Sequence, residues 1–142
     1  MLSVIIPAYN EELSLERAYY TISKILREAE IDNEIIFIDD GSTDTTYEKI
    51  KNLADKEKNI YGLHFSRNFG KEAAISAGLA SAGGDAVVVI DCDLQHPPEK
   101  IVEMYHLWQE GYEIVEGIKK TRGKESKMRG LLQESFIQLS VR

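Results

Sequence analysis

The sequence lacks several features that would place it in common protein classes. It has one cysteine in 142 residues, so it can form no internal disulfide, and no cysteine or histidine spacing fits a zinc site. No apolar run approaches the roughly 20 residues that cross a bilayer. The apolar stretch at the N-terminus is too short for a signal peptide and lacks the positive charge of one. We therefore expect the chain as given to be soluble or peripheral to a membrane.

Two familiar phosphate-binding patterns are also absent. No Gly-x-Gly-x-x-Gly follows the first predicted strand, which argues against a dinucleotide cofactor. Gly70-Lys71 is followed by Glu72 and lacks the earlier glycine of the Walker pattern, which argues against a P-loop enzyme.

Positive charge is scarce over most of the chain. The net charge of −7 argues against general nucleic-acid binding, so we expect no nucleic-acid partner. Residues 1–118 contain 10 basic and 22 acidic side chains, whereas residues 119–142 contain seven and two. An acidic body with a basic C-terminal segment indicates an anionic partner near that segment.

Strand and helix patterns alternate along the chain, with short links between them. This alternation predicts an α/β fold, a mostly parallel twisted sheet with helices on both faces, as in the nucleotide-binding half of a Rossmann-like domain. The predicted strands are 2–6, 34–38, 60–65, 86–90 and 112–116. The predicted helices are 13–29, 43–56 (capped by Ser42 or Thr43), 71–82 and 98–110.

Polar segments follow the first four predicted strands. They are 7–11, 39–42, 66–68 and 91–93. Ligands of open parallel sheets bind beyond the carboxyl ends of the strands. We therefore expect a binding site at this edge.

Asp91 and Asp93 are the most informative of these residues. They follow the apolar run 87–90 with only Cys92 between them, and two adjacent acids repel unless a cation lies near. Carboxylate oxygens suit Mg²⁺ or Mn²⁺, and Gln95 can add a carbonyl oxygen or orient a metal-bound water. The alternative is a solvated turn that carries two acids.

Three other segments are candidates for binding a nucleotide. Asp39 or Asp40 can accept from a base or a ribose, although one of them can instead cap the following helix. Residues 7–11 can supply backbone contacts and a carboxylate, or form only a turn. Arg67, Asn68 and Lys71 can touch phosphate or sugar, or pair with nearby acids.

The C-terminal segment combines charge with a helical pattern. Six of residues 119–129 are basic, and Arg122 or a neighbour can neutralise a diphosphate, because guanidinium binds phosphate in a bidentate way. Apolar residues from Met128 to Leu139 recur at helical spacing, which predicts an amphipathic helix. It can lie on an anionic membrane or pack on the sheet.

Together these motifs resemble a known family. Val4–Glu12, Ile38–Asp44 and Asp91–Glu99 are similar to the inverting GT-A glycosyltransferases of family 2. The loop Ser66–Glu72 narrows the resemblance to the transferases that add sugars to polyprenyl phosphates, among them dolichol-phosphate mannose synthases and bactoprenol glucosyltransferases. The resemblance covers essentially the whole chain.

The resemblance implies a role for each matching position. Asp91, Asp93 and Gln95 would hold Mg²⁺ or Mn²⁺, and Arg122 would contact phosphate near the acceptor; the catalytic candidates are Asp91, Asp93 and Arg122. The donor would be a UDP- or GDP-linked sugar and the acceptor a polyprenyl phosphate at the cytoplasmic face of a membrane. Oligomer formation is left open. The nucleotide-binding candidates are Pro7, Ala8, Tyr9, Glu11, Asp39, Asp40, Lys71, Asp91 and Cys92.

The resemblance also implies a division of the chain and leaves alternatives. Residues 1–118 would be the nucleotide-sugar-binding core, and 119–142 the start of a truncated acceptor region, because family members generally continue further. A non-catalytic nucleotide-sugar-binding fragment is one alternative. A haloacid-dehalogenase-type phosphatase is another, although its Asp-x-Asp normally follows the first strand.

Overall fold

The computed structural model describes residues 1–116 and 138–141. The strands are β1 (Leu2–Ala8), β2 (Asn33–Asp39), β3 (Ile60–His64), β4 (Ala86–Val89), β5 (Ile114–Glu116) and β6 (Gln138–Val141). The helices are α1 (Leu15–Glu28), α2 (Thr46–Lys56), α3 (Lys71–Ser81) and α4 (Lys100–Gln109). No helix among these residues is long and apolar enough to cross a membrane.

The strands form one sheet in the order β3-β2-β1-β4-β6-β5. The pairs β3–β2, β2–β1 and β1–β4 are parallel, and their carboxyl ends therefore meet at one edge. β6 pairs antiparallel with both β4 and β5. The predicted α/β fold with a mostly parallel sheet is confirmed.

Burial on both faces explains why β1, β2 and β4 are largely apolar. In β1, Val4 and Ile6 pack into the core beneath α1, whereas Ile5 belongs to the core beneath α3. Helices α1, α2 and α4 cover the first face, and α3 covers the second. Strands buried on both faces read as continuous apolar runs.

Helix α3 packs against the sheet through Gly78, and its small residues predict such close packing. A Cβ on Gly78 would lie 2.6 Å from Cγ2 of Ile5 and 2.9 Å from Cδ1 of Ile38, so only glycine fits there. This packing fixes the axis of α3 and, with it, the position of the first helical turn at the carboxyl edge of the sheet.

The structure corrects the predicted helix at the C-terminal end. The predicted amphipathic helix reaches Leu139, but Gln138–Val141 form β6, with Leu139 opposite Val88. Polar and apolar residues alternate over these four positions, a pattern that also fits a strand, and β6 supplies backbone partners along β4. Arg122 and the rest of the basic segment lie outside the described residues.

Two helix starts also differ from the prediction. Helix α2 begins at Thr46 with Thr45 as its N-cap residue, so neither Ser42 nor Thr43 caps it. Helix α4 begins at Lys100, two residues after Pro98. In both cases a turn held by other contacts occupies the residues that were expected to start the helix.

Candidate functional site

A cavity of about 420 Å³ opens at the carboxyl edge of the parallel strands. It lies beyond β1, β2 and β4 and against the first turn of α3. This is the edge at which polar segments were predicted to converge. The lining residues are Pro7, Ala8, Tyr9, Glu11, Asp40, Asn68, Gly70, Lys71, Ala74, Asp91, Cys92 and Asp93.

The loops after β1 and β2 are joined by reciprocal hydrogen bonds. The backbone N–H of Asn10 donates to Oγ of Ser42 over 2.9 Å, and Oδ1 of Asn10 accepts from the N–H of Thr43 over 2.9 Å. Oε2 of Glu12 accepts from both the N–H and the hydroxyl of Thr45. Asn10 has φ of 53°, a left-handed conformation that asparagine tolerates and that aims its side chain back along the loop.

Asp44 anchors the same pair of loops to the start of α2. Its carboxylate accepts from the N–H and the hydroxyl of Thr46, over 2.9 and 2.5 Å, and from the N–H of Glu12 over 3.2 Å. Burial by itself would raise the pKa of Asp44, but these hydrogen bonds outweigh it and lower the pKa below its ordinary value. The hydroxyl of Thr46 also accepts from the N–H of Glu11.

Glu11 lines the cavity beside this junction. Its side chain is partly buried, and Oε2 accepts from the hydroxyl of Ser14 just before α1. Tyr9 lies two residues earlier and is 46% exposed, so its ring forms an open rim rather than part of the core.

The adjacent acids Asp39 and Asp40 have different surroundings. Asp40 lines the cavity, and its two oxygens accept from the backbone N–H groups of Phe69 (2.7 Å) and Gly70 (2.9 Å). Asp39 is fully buried, accepts from the N–H of Ser42 over 3.1 Å, and is not among the lining residues. Neither carboxylate caps α2, which was the structural alternative for this pair.

Lys71 and Asp91 form an ion pair across the cavity, with Nζ 2.6 Å from Oδ1. Of the two alternatives considered for Lys71, pairing with a nearby acid is therefore the one present in the structure. The ammonium is half-exposed and the carboxylate is largely covered. Lys71 is the first residue of α3, and Asp91 follows β4 by two residues, so the pair joins two elements.

The turn after β4 presents the second carboxylate. Oδ1 of Asp93 accepts from the N–H of Gln95 over 3.1 Å, and Leu94 between them has φ of 56°. Left-handed backbone at a residue with a bulky side chain is uncommon and is often found at functional sites. Gln95 itself is exposed and does not line the cavity.

Cys92 contributes to the cavity wall from the core. Its residue is 2% exposed, and its sulfur lies 3.9 Å from the hydroxyl oxygen of Ser14. Burial raises the pKa of the Cys92 thiol to about 12, so the thiol is neutral at physiological pH. A thiolate contact with a ligand is therefore not expected here.

The structure brings most of the predicted site residues together and adds two. Asn68 was considered from the sequence alone as a phosphate or sugar contact, whereas Gly70 and Ala74 were missed. Gly70 has φ of 99°, and Ala74 lies one turn further along α3. The sequence does contain a signal for both residues, a glycine directly before a predicted helix and an alanine four residues later. Small residues at these positions leave room for a ligand beside the start of the helix. The predicted residues that line the cavity are Pro7, Ala8, Tyr9, Glu11, Asp40, Asn68, Lys71, Asp91, Cys92 and Asp93.

The donor atoms of the site suit a hard divalent ion that a ligand helps to hold. Over residues 1–116 there is no group of three or more histidine, cysteine, aspartate or glutamate side chains arranged as a metal site. Asp91 and Asp93 nevertheless supply two carboxylates at one turn, which matches Mg²⁺ bound by one or two carboxylates and substrate phosphates.

Comparison with known proteins identifies the family. The family model described as "Glycosyl transferase family 2" matches residues 3–139, nearly the whole chain. The chain belongs to this family. Membership in glycosyltransferase family 2 supports a transferase and decides against the phosphatase alternative.

Two curated relatives and one solved structure illustrate the likeness. The glycosyltransferase YkcC of Bacillus subtilis is 37% identical over 137 residues, which are 96% of this chain and 42% of YkcC. The bactoprenol glucosyl transferase of Shigella phage SfV is 38% identical over 138 residues, 97% of this chain and 45% of that protein. The chain thus spans less than half the length of these relatives.

The solved structure is glucosyl-3-phosphoglycerate synthase of Mycobacterium tuberculosis, in complex with Mn²⁺, UDP and phosphoglyceric acid. It is 31% identical, with a TM-score of 0.63, over 80% of this chain and 41% of that one. This likeness agrees with the GT-A type of glycosyltransferase fold, which the sequence motifs predicted.

Proposed function

We propose that this chain forms the donor-binding half of an inverting glycosyltransferase that moves a sugar from a nucleoside diphosphate to a polyprenyl phosphate. One observation carries the proposal. The loops after three parallel strands and the first turn of α3 converge on a single cavity lined by Asp40, Asp91, Asp93 and Lys71. Membership in glycosyltransferase family 2 supports a nucleotide sugar as the ligand of this cavity.

The nucleoside would occupy the side of the cavity formed by β1 and β2. Pro7, Ala8 and Tyr9 supply backbone groups and a half-exposed aromatic ring, and Asp40 supplies a carboxylate that is only 4% exposed. A nearly buried carboxylate that already accepts two N–H groups is held rigidly, which favours selective hydrogen bonding to a base or a ribose. Asp39 would not contact the nucleoside but would support the loop that carries Asp40.

The diphosphate would occupy the side formed by β4 and α3. Asp91 and Asp93 would hold Mg²⁺ or Mn²⁺, which when bound would neutralise charge on the departing diphosphate, and Gln95, outside the cavity lining, would orient a metal-bound water. The Mn²⁺-containing synthase of M. tuberculosis supports a divalent ion in this family, without distinguishing Mg²⁺ from Mn²⁺. Lys71 and the first N–H groups of α3 add positive charge on the same side of the cavity.

The reaction needs no general base from this chain. A phosphate monoester has a second pKa of about 6 and is largely a dianion at neutral pH, so its oxygen is already a nucleophile. That oxygen would attack the anomeric carbon opposite the leaving group, the bond from carbon to the diphosphate oxygen would break, and the electron pair would leave on the diphosphate. Attack from the opposite side inverts the configuration. Catalysis then rests on alignment and on stabilising the leaving charge, the role proposed for Lys71 and Arg122.

The acceptor class is supported by a relative and by charge. The phage SfV protein is named as a bactoprenol glucosyl transferase and aligns with 97% of this chain. Six basic residues in 119–129 would favour an anionic membrane surface, where a lipid-linked phosphate is found. We therefore place the whole protein at the cytoplasmic face of a membrane.

Calorimetric titration with UDP and with GDP tests the donor site. We expect one of them to bind only with Mg²⁺ or Mn²⁺, and we expect Asp93→Ala to abolish binding. Asp55→Ala is the matched control, because it removes an exposed carboxylate on α2, outside the cavity, and should leave binding unchanged. Equal binding without a divalent ion would contradict the metal-dependent site.

A transfer assay separates a transferase from a binding fragment. A radiolabelled nucleotide sugar is offered to vesicles that contain a polyprenyl phosphate, with this chain and with a longer chain that includes the region its relatives continue into. Transfer by the longer chain supports the proposal. Nucleotide binding without transfer by either chain would favour the non-catalytic fragment.

A further inference from the structure

The ion pair between Lys71 and Asp91 is placed where a divalent ion would bind. Nζ of Lys71 lies 2.6 Å from Oδ1 of Asp91, and the lysine side chain is 51% exposed while the aspartate is 22% exposed. Exposed ion pairs contribute little to folding stability, because solvent screens them and ordering a long side chain costs entropy. Stability is therefore a weak reason for a lysine at this position.

The backbone that precedes Lys71 is held by a different carboxylate. Both oxygens of Asp40 accept from backbone N–H groups, those of Phe69 and Gly70. Gly70 has φ of 99°, which turns the chain directly into α3, and Lys71 is the first helical residue. The backbone at the base of the lysine side chain is therefore fixed, at a position from which the ammonium reaches Asp91.

A divalent ion and the ammonium of Lys71 compete for the same carboxylate. A metal bound to Asp91 would meet a positive charge only a few ångströms away, and the two cations repel. A diphosphate changes this balance, because it offers the ammonium another anionic partner and gives the metal more oxygen ligands. Each ligand would then make the site better for the other.

We propose that Lys71 is the internal counter-cation of Asp91 and makes divalent-metal binding conditional on the nucleoside diphosphate. This inference rests on the proposed donor site and adds a dependence of metal binding on the nucleotide. The metal alone binds weakly, and the diphosphate draws Lys71 away from Asp91 and admits the metal. Because coupling between two ligands is reciprocal, the nucleotide likewise binds weakly without the metal.

Titration of Mn²⁺, followed by the electron paramagnetic resonance signal of the free ion, tests the inference with and without nucleotide. The variant is Lys71→Met, which keeps most of the length of the side chain and removes its charge. We expect Mn²⁺ alone to bind the variant roughly 30-fold more tightly, the effect in water of removing one unit charge about 4 Å from a divalent ion. The factor by which nucleotide improves Mn²⁺ affinity should shrink in the variant.

Two further variants control for charge and for folding. Lys49→Met breaks an ion pair of α2 with Glu16 outside the cavity, with Nζ 3.1 Å from Oε2, and should leave Mn²⁺ affinity unchanged. Lys71→Arg keeps the positive charge and should retain weak binding of Mn²⁺ alone. Unfolding curves in urea establish that all three variants are folded.

Separate results would overturn the inference and the proposed function. Unchanged or weaker binding of Mn²⁺ alone to Lys71→Met, or an equal gain in Lys49→Met, would overturn the counter-cation role while leaving the donor site intact. Failure of the wild-type chain to bind UDP or GDP with Mn²⁺ would instead overturn the donor site, and the inference with it.

Discussion

His64 and Asp39 form a hydrogen-bonded pair across the ends of β3 and β2, with Nδ1 of the imidazole 2.6 Å from Oδ2 of the carboxylate. The other oxygen of Asp39 accepts from the N–H of Ser42. The ring of Tyr47 stacks on the imidazole with a centroid separation of 4.1 Å. The fully buried carboxylate is thus paired on both oxygens, and it fixes the loop that follows β2.

The first prediction concerns this pair. Asp39→Ala leaves the N–H of Ser42 and the imidazole without their acceptor, and an unsatisfied buried partner costs about 1–3 kcal/mol of unfolding free energy. Urea unfolding measures the loss. His64→Ala should cost less, because the imidazole is 39% exposed and water can replace it. Equal losses in the two variants would contradict the support role of Asp39.

The second prediction concerns the close approach of two loops at Gly41. Its φ is 69°, and a Cβ there would lie 2.3 Å from the carbonyl carbon of Arg67, so the backbone after β2 touches the backbone after β3. Gly41→Ala should destabilise the protein by more than the roughly 1–2 kcal/mol of a left-handed residue alone, because a backbone must also move. Urea unfolding provides the measurement.

Gly111→Ala is the matched control for that substitution. Gly111 also has a positive φ, 105°, but a Cβ there meets nothing within 4 Å. The difference between the two variants therefore reports the contact between the loops. Nucleotide affinity should fall in Gly41→Ala, because the new methyl group displaces the backbone of Arg67, and the next residue, Asn68, lines the cavity. It should stay unchanged in Gly111→Ala. A larger loss of stability in the control would contradict this account.

The sequence could predict those parts of the site whose signals are local. The apolar run Val87–Ile90 predicts a buried strand, and Asp91 follows it directly, with Asp93 two residues further on. Parallel strand direction then places these acids beside the polar residues after β1 and β2. The edge of the sheet and most of the cavity lining could therefore be predicted without coordinates.

Distinctions that depend on distant partners could not be predicted. Asp39 and Asp40 are adjacent acids, and only the positions of His64 and of the backbone at Gly70 determine which one faces the cavity. The strand at Gln138–Val141 is another example, since its short pattern fits a helix or a strand. Pairing with β4 decides the outcome.

The third prediction is a pH dependence that arises from Asp44. Its pKa in the folded protein lies below the ordinary value of 3.8, so folding favours the charged carboxylate. The stability that this provides is present above pH 3.8 and is lost as the pH falls through the lower folded value. Asp44→Asn should be less stable than wild type by about 1 kcal/mol at pH 6, because it loses charge-assisted hydrogen bonds to Thr46 and Glu12.

Urea unfolding at a series of pH values checks this dependence. The difference between wild type and Asp44→Asn should stay constant from pH 6 to about pH 5 and shrink below about pH 4. If the stability difference between wild type and Asp44→Asn grew as the pH fell, the pKa of Asp44 would not be lowered by folding. Nucleotide affinity provides a second measurement, because Asp44 holds together the two loops that flank the nucleoside side of the cavity.

The fourth prediction concerns the reactivity of Cys92. Burial raises the pKa of its thiol from an ordinary 9.0 to about 12, which lowers the thiolate fraction at pH 8 about 1000-fold. Alkylation by iodoacetamide should therefore be very slow in the folded protein and fast in urea, as mass spectrometry would show. Because the folded state disfavours the thiolate, stability should also fall as the pH rises above 9 toward 12. Cys92→Ala should lose less stability than wild type over this range of pH, because it has no thiol to ionise. Rapid alkylation of the folded chain at pH 8 would contradict both the burial of the thiol and its neutral state at the cavity wall.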